Sequence, residues 1–181
     1  MASIIRVDSI RDSGDNVYMS SDGSGIFTTS GLGLTFASTI NANQSLSHET
    51  ITKLNFDTEI YDTNSAYSTS DKRFTVPSGK QGYYKIGAKV CFEASANSKE
   101  MIGWLKIRKN GDDIDLGGGG TNQSDFYQNG SASGHRNIMT ITDFIINLSA
   151  GDYLEAYGYQ GHNDSSSANA RADYSLFYGY K

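Results

Sequence analysis

The chain of 181 residues contains one proline, one cysteine and no long apolar run. The single cysteine, Cys91, cannot form a disulfide within the chain. No apolar stretch approaches the roughly 18 residues of a membrane helix, so no membrane insertion is expected. The net charge is −5 and no cluster of basic residues could neutralise phosphates, which argues against a nucleic-acid partner.

The first residues of the chain lack the charged segment and apolar core of a secretory signal peptide. Together with the lone cysteine, this favours synthesis in a reducing cytosol.

The residues that are abundant favour an all-β protein. Glycine (20 residues) and tyrosine (12 residues) stand out, and strong helix formers are few. Apolar runs alternate with turn residues, which predicts a sandwich or jelly roll of about eight to ten antiparallel strands after residue 35 and no helix. The predicted strands cover residues 35–40, 51–56, 73–77, 83–92, 101–109, 114–116, 138–148, 153–159 and 173–180, with a further one near Phe126 and Tyr127.

Two of these strands have the clearest patterns. In residues 83–92 the apolar side chains occupy alternate positions, which predicts a half-buried strand. The strand over residues 101–109 ends at Asn110-Gly111, the strongest short signal for a hairpin turn.

The chain is expected to divide into an N-terminal segment, residues 1–38, and a main domain, residues 39–181. The segment contains three short apolar runs separated by turn clusters, each run too short to bury much surface by itself. It is therefore predicted to be a β-rich anchor that docks on a partner, the alternative being a merely polar, flexible arm. The anchoring side chains would be Ile4, Ile5, Val7, Val17, Tyr18, Ile26 and Phe27.

Three strands near the C-terminus carry apolar or aromatic residues on both faces. One face can line the core, and the other would form an exposed apolar patch of the kind that marks an interface. The predicted trimer interface consists of Tyr153, Tyr157, Tyr159, Tyr174, Leu176, Tyr178 and Tyr180. The alternative is that these tyrosines cover a solvated sheet.

Four ordered blocks over residues 36–181 resemble the signature of C1q/TNF-like domains. They are the aromatic and Asp positions Phe56, Asp62, Tyr67 and Phe74, the Asn110-Gly111 turn, the Gly151-Asp152 turn, and the closing Phe177-Tyr178-Gly179-Tyr180. The resemblance implies a C1q/TNF-like jelly roll that works as a homotrimer and has no enzymatic activity. No collagen-like stalk precedes the domain, so the resemblance implies fold and trimerisation rather than an immune role.

The N-terminal residues Ser3-Ile4-Ile5-Arg6-Val7-Asp8-Ser9-Ile10 are similar to the starts of tail-fibre-like proteins of marine bacteriophages. This resemblance implies a virion structural protein, made in the bacterial cytoplasm. It would be a fibre or spike anchored by its N-terminus to other virion proteins, with the C1q-like head facing a host. The alternatives are a capsid-decorating head fibre of the same design and a secreted C1q-like lectin or adhesin.

Residues with catalytic or metal-binding chemistry are sparse. His48, His135 and His162 have no zinc-binding spacing, and Cys91 follows the pattern of its strand as an inert thiol. No catalytic residue and no cofactor is therefore expected. Calcium is the one ion considered, because Asp112, Asp113 and Asp115 cluster after a turn, although without the spacing of a known calcium loop.

Two polar loops are the candidate ligand-binding regions, since loops on a rigid scaffold carry recognition. Aromatic, amide and carboxylate side chains in them suit a host-surface glycan. The candidates are Tyr127, His135, Arg136, His162, Asn163, Asp164 and Arg171. Ordinary solvated loops or trimer contacts are the alternative.

Overall fold

The fold was analysed in a computed structural model, which describes residues 8–15, 17–21, 23–24, 27–29, 33–94, 100–115, 122–129 and 137–181. Over these residues the chain forms antiparallel strands and one short 3₁₀ turn, Ala172–Tyr174, which confirms the all-β fold class. None of the described residues belongs to a helix that is long and apolar enough to span a membrane.

The strands, in chain order, are β1 (Ser9–Arg11), β2 (Val17–Ser21), β3 (Phe27–Thr29), β4 (Thr35–Thr39), β5 (Gln44–Leu46), β6 (Thr52–Lys53), β7 (Thr58–Asp62), β8 (Tyr67–Ser68), β9 (Arg73–Thr75), β10 (Gly82–Ala94), β11 (Glu100–Lys109), β12 (Asp112–Asp113), β13 (Ser124–Asn129), β14 (Asn137–Leu148), β15 (Tyr153–His162), β16 (Ala168–Ala170) and β17 (Leu176–Tyr180).

The chain divides into two compact units, Met1–Gly33 and Leu34–Lys181. The predicted boundary between residues 38 and 39 falls within β4, which pairs with β17 in the main unit.

The N-terminal unit contains an antiparallel sheet in the order β1-β2-β3. The turn between β1 and β2 is held by the Gly14 N–H, which donates to the Asp12 carboxylate over 2.8 Å. None of the side chains described in this unit is buried. Of the predicted anchor residues, Val17 and Tyr18 lie in β2 and Phe27 lies in β3, whereas Ile4, Ile5, Val7 and Ile26 lie outside the described residues.

The main unit is a sandwich of two sheets with jelly-roll topology. In the first sheet β10 is central: β14 pairs along one edge, and β17 and β16 follow each other along the other edge. β4 and β7 continue beyond β17, and β5 pairs with β16. The second sheet has the order β12-β11-β15-β9-β8, with β13 paired to β11 and β6 paired to β15.

The core lies between the two sheets and follows the predicted alternation. The side chains of β10 that point inward, Tyr84, Ile86, Ala88, Val90 and Phe92, are fully buried. Met101, Leu105 and Ile107 of β11 meet them from the second sheet. Phe36 of β4 stacks on Phe74 of β9, with ring centroids 4.5 Å apart, and so joins the two sheets.

The residues of the first family block converge on one corner of this core. The Tyr67 hydroxyl donates to the Phe56 carbonyl over 2.7 Å, and the Tyr67 N–H donates to the Asp62 carboxylate over 2.7 Å. Tyr67 also pairs with Phe74 between β8 and β9. The spacing of these four residues therefore reflects one cluster that is joined by hydrogen bonds and strand pairing.

Several predicted strands differ from the observed ones. The Asn110-Gly111 turn forms as expected, with φ of 55° and 88°, but the two-residue turn places Asp112–Asp113, rather than residues 114–116, opposite β11. The strand predicted over residues 51–56 is limited to β6. The last strand begins at Leu176 and not at residue 173, because Ala172–Tyr174 forms the 3₁₀ turn. The short strands β5, β7 and β16 were not predicted.

The two ends of the main unit lie together at one end of the sandwich. The Lys181 N–H donates to the Leu34 carbonyl over 3.0 Å, next to the pair formed by Tyr180 and Thr35. Tyr180 in turn pairs with Lys85, near the start of β10, whereas Ala94 at its end pairs with Ala168. At about 3.3 Å per residue, the length of β10 separates the two ends of the sandwich by roughly 40 Å.

Candidate functional site

The first sheet turns one face to the core and the other face outward. We call the outward face of β14, β10 and β17 the open face; its side chains are Tyr83, Lys85, Lys89, Ile141, Asp143, Ile145, Leu176, Tyr178 and Tyr180. The register places Ile145, Lys85 and Tyr180 in one row across the three strands. Asp143, Gly87 and Tyr178 form the next row, and Ile141, Lys89 and Leu176 the third.

The open face is apolar to a degree that is unusual for a solvated sheet. Tyr83 is 70% exposed, Ile145 67%, Ile141 53% and Tyr180 49%. Exposed apolar side chains concentrated on one face of a sheet are typical of an interaction site. The open face is therefore the first candidate site.

A charged pair lies in the middle of this apolar surface. The Lys85 ammonium lies 3.1 Å from the Asp143 carboxylate, and the Tyr178 hydroxyl donates to the same carboxylate over 3.3 Å. The hydrogen bond and charge of Asp143 raise the pKa of Lys85. Desolvation by burial, followed by the negative charge of Asp143, raises the pKa of Tyr178. The three groups thus hold one another in a fixed arrangement.

Cys91 occupies an outward position of β10 but is buried. Burial raises the pKa of its thiol, which keeps the sulfur protonated and unreactive.

The outward face of the second sheet has a different character, because cations cover its aromatic rings. The Arg73 guanidinium lies 4.7 Å from the centre of the Tyr153 ring, and that of Arg108 lies 4.8 Å from the centre of the Tyr157 ring. Tyr159 stacks on Trp104 with the two rings 5.5 Å apart. These contacts cover the ring faces with groups of the same chain and leave less apolar surface for a partner.

The predicted interface residues therefore do not form one surface. Leu176, Tyr178 and Tyr180 lie on the open face of the first sheet, whereas Tyr153, Tyr157 and Tyr159 lie on the outward face of the second sheet. The outward faces of a sandwich point in opposite directions, so a single flat contact cannot include both sets. Tyr174 belongs to the 3₁₀ turn, where the Arg171 guanidinium lies 5.5 Å from its ring centre.

A cleft of about 190 Å³ is the second candidate site, and it lies at the end of the sandwich away from Leu34. Its lining consists of His48, Glu49, Glu100, Ile102, Gly161, His162 and Asn163. The backbone N–H of His162 donates to His48 Nδ1 over 3.1 Å, which joins the turn after β5 to the end of β15. Burial lowers the pKa of His162, so its ring is neutral near pH 7.

The predicted ligand-binding residues fall into four groups. Asn163 and His162 line the cleft, and Tyr127 lies beside it, opposite Ile102 in the pairing of β13 with β11. Asp164 follows on the exposed turn, where its carboxylate accepts the Ser166 N–H over 3.0 Å. Arg171 is elsewhere and bridges Glu93 and Asp173 over 3.1 Å and 2.9 Å. His135 and Arg136 lie outside the described residues.

Asp113, one of the aspartates considered for calcium, has other partners. Lys106 and Arg108 each contact the Asp113 carboxylate over 2.7 Å and lower its pKa. Across the part of the chain that the structure describes, no three His, Cys, Asp or Glu residues are grouped so as to hold a metal ion.

Sequence reasoning missed several residues of both sites. Tyr83, Lys85 and Asp143 of the open face were not selected, although the apolar residues on both faces of strand 138–148 pointed to Ile141 and Ile145. For the cleft, no local pattern marks His48, Glu49, Glu100 or Ile102, because separate parts of the chain bring them together.

Comparison by sequence finds no matching protein family and no matching curated protein. Comparison of structures finds C1q and TNF-family domains. The globular domain of zebrafish complement 1qA protein matches with a TM-score of 0.53 and 13% identity, over 81% of this chain and 95% of that one.

Two TNF-family proteins match to a similar extent. Eiger TNF from S. frugiperda has a TM-score of 0.54 and 15% identity, over 83% of this chain and 92% of its own. Murine APRIL has a TM-score of 0.52 and 9% identity, over 81% of this chain and 97% of its own. The main unit thus has the C1q/TNF jelly-roll fold, as the sequence blocks predicted.

Proposed function

We propose that the chain is a non-enzymatic structural and recognition subunit that assembles as a homotrimer through the open face of the first sheet. The main observation behind this proposal is that Tyr83, Ile141 and Ile145 are exposed on the same face of adjacent strands. A monomer would leave this surface in water, at about 25 cal/mol for each Å² of apolar area. Contact with two further copies removes it from water, as in closed rings built from one repeated contact.

We propose that the trimer is part of a phage virion, in which it forms a tail fibre or a head fibre. The N-terminal resemblance supports this role. The N-terminal unit also suits an anchor, since none of its described side chains is buried and a partner surface would cover them. Within the main unit, the cleft lies at the end away from Leu34, and it is the surface proposed to meet a host.

Light scattering on the full chain tests the assembly. The expected mass is three times the 19.6 kDa of one chain. Ile145→Lys places a second positive charge on the open face, in the same row as Lys85, and should yield monomers with an unchanged circular dichroism spectrum. Ile102→Lys is the matched control, because Ile102 is an exposed isoleucine on the second sheet.

A wild-type chain with the mass of a monomer would reject the trimer. If Ile102→Lys dissociates the assembly and Ile145→Lys does not, the contact involves the second sheet and the assignment of the open face is wrong.

A further inference from the structure

The cleft at the end of the second sheet combines an apolar floor with a polar rim. Gly161 lies opposite Ile102, and Ile102 lies opposite Tyr127 on its other side, so the three form one row across β15, β11 and β13. Ile102 is 48% exposed and Tyr127 is 63% exposed. An exposed aromatic ring beside an exposed aliphatic side chain is a surface on which another flat apolar face can stack.

The rim carries hydrogen-bonding groups that are available to a ligand. In the described part of the chain, no hydrogen bond or ion pair involves the side chains of Glu100 and Asn163. Glu49 has a φ of 49°, a conformation that non-glycine residues seldom adopt. It is fixed there by its N–H, which donates to the Gln160 carbonyl over 2.8 Å. Strained residues of this kind concentrate at functional sites.

We infer that this cleft binds a single neutral or amino-bearing sugar ring of a surface glycan. A pyranose has an apolar face that stacks on Tyr127 and Ile102, and it has hydroxyls that donate to carboxylates and bond to amides. The cleft volume of about 190 Å³ is smaller than that of pockets for drug-sized ligands and suits one ring. The inference rests on the recognition role proposed above.

The charges of the rim decide which sugars are accepted. Glu49 and Glu100 both lie in the lining, and a carboxylated or sulfated sugar would bring a third negative charge against them. Like charges brought together at a binding site disfavour the complex. Sialylated and sulfated glycans are therefore excluded, and neutral hexoses, N-acetylated hexoses and amino sugars are accepted.

Gly161→Ala is the sharpest variant for this site. A Cβ at position 161 would lie 3.4 Å from Ile102 Cγ1 and 3.8 Å from Glu49 Cγ, which are ordinary contact distances. The added methyl group thus enters the cleft without disturbing the fold. Tyr127→Ala removes the stacking ring, and Tyr127→Phe keeps it.

The experiment applies the full-length chain to an array of neutral, N-acetylated, amino, sialylated and sulfated glycans, and then titrates the best binder. Gly161→Ala obstructs the cleft and Tyr127→Ala removes one well-made contact, so each should weaken binding by about tenfold or more. The control Asp112→Asn, an exposed carboxylate on another hairpin, should bind as the wild type does, and Tyr127→Phe should bind more tightly than Tyr127→Ala because it keeps the ring. Glu100→Gln should reduce the discrimination against sialylated glycans.

A folded trimer that binds no glycan would overturn this inference and leave the assembly proposal intact. Glycan binding that Gly161→Ala and Tyr127→Ala leave unchanged would keep the recognition role but place the site elsewhere. A monomeric chain whose binding depends on these two residues would reject the trimer and retain the cleft.

Discussion

The ring of Tyr178 lies directly over Gly87 on the open face. A Cβ added at position 87 would come within 2.4 Å of the Tyr178 ring carbon Cζ and of its hydroxyl. The absence of a side chain at Gly87 therefore allows Tyr178 to cross β10 and reach Asp143 on β14.

Gly87→Ala is expected to weaken the trimer more than it weakens the fold. The methyl group displaces the outer end of the Tyr178 ring, which can swing away from the sheet at a cost of about 1–3 kcal/mol. The flat face that a second copy would contact is then lost. Light scattering over a dilution series should show dissociation at a higher protein concentration than for the wild type, while the chain stays folded. Equal dissociation of Gly87→Ala and wild type would count against the open face as the interface.

The pair formed by Lys85 and Asp143 tests whether the open face is covered. An exposed pair contributes at most about 1 kcal/mol, whereas removing one partner of a buried pair costs about 3–5 kcal/mol. If the trimer buries the open face, Asp143→Asn should dissociate it, because Lys85 would then be buried without a partner. The double variant Lys85→Met with Asp143→Leu should restore the trimer. Asp113→Asn provides the exposed control, since the Asp113 side chain is 58% exposed in its ion pairs. If Asp143→Asn leaves the trimer intact, the pair of Lys85 and Asp143 is exposed to solvent in the assembly.

Stability in alkali should depend on Tyr67. Burial raises the pKa of its hydroxyl, which donates to the Phe56 carbonyl. The unfolded chain therefore loses this proton first as the pH rises above about 10, and the free energy of unfolding falls there while it is unaffected below. Tyr67→Phe should make the decline above pH 10 shallower in denaturant titrations, at the cost of about 1 kcal/mol at neutral pH for the lost hydrogen bond. An unchanged slope in alkali would show that Tyr67 ionises alike in both states.

Asp152 should stabilise the fold by fixing two turns together. Burial alone would raise the pKa of its carboxyl, but hydrogen bonds from Lys109, Asn110 and Ser149 outweigh burial and lower it. Its contribution to stability is thus present above the unfolded pKa of about 3.9 and is lost as the pH falls through the lower folded value. Asp152→Ala should lower the free energy of unfolding at pH 7 by about 1–3 kcal/mol and flatten its dependence on pH in acid.

Asp112→Asn is the matched control for that experiment, because Asp112 is an exposed carboxylate on the neighbouring hairpin. If both variants unfold at the same denaturant concentration as the wild type, Asp152 has no structural role.

The fold could be predicted because its signals are local. Alternation over β10, the Asn110-Gly111 turn and the spacing of Phe56, Asp62 and Tyr67 each depend on nearby residues. Strands of two or three residues, such as β5 and β16, could not be predicted, since their existence depends on pairing with each other. A short run gives no periodicity to detect.

The sites were less predictable, because their residues meet only through the topology. The sequence indicates that Tyr157 and Tyr178 are outward, but the sheet to which each strand belongs decides that they lie on opposite sides. His48 and His162 are 114 positions apart and meet through one hydrogen bond. No spacing rule connects residues at that separation.

The hydrogen bond from the Lys181 N–H to the Leu34 carbonyl has a practical consequence for labelling the molecule. A fluorophore or fusion partner joined after Lys181 would leave the main unit at the end where the chain also enters it. The cleft, which lies at the other end, would remain uncovered by such an attachment. A C-terminal tag is therefore compatible with measuring ligand capture on an immobilised surface.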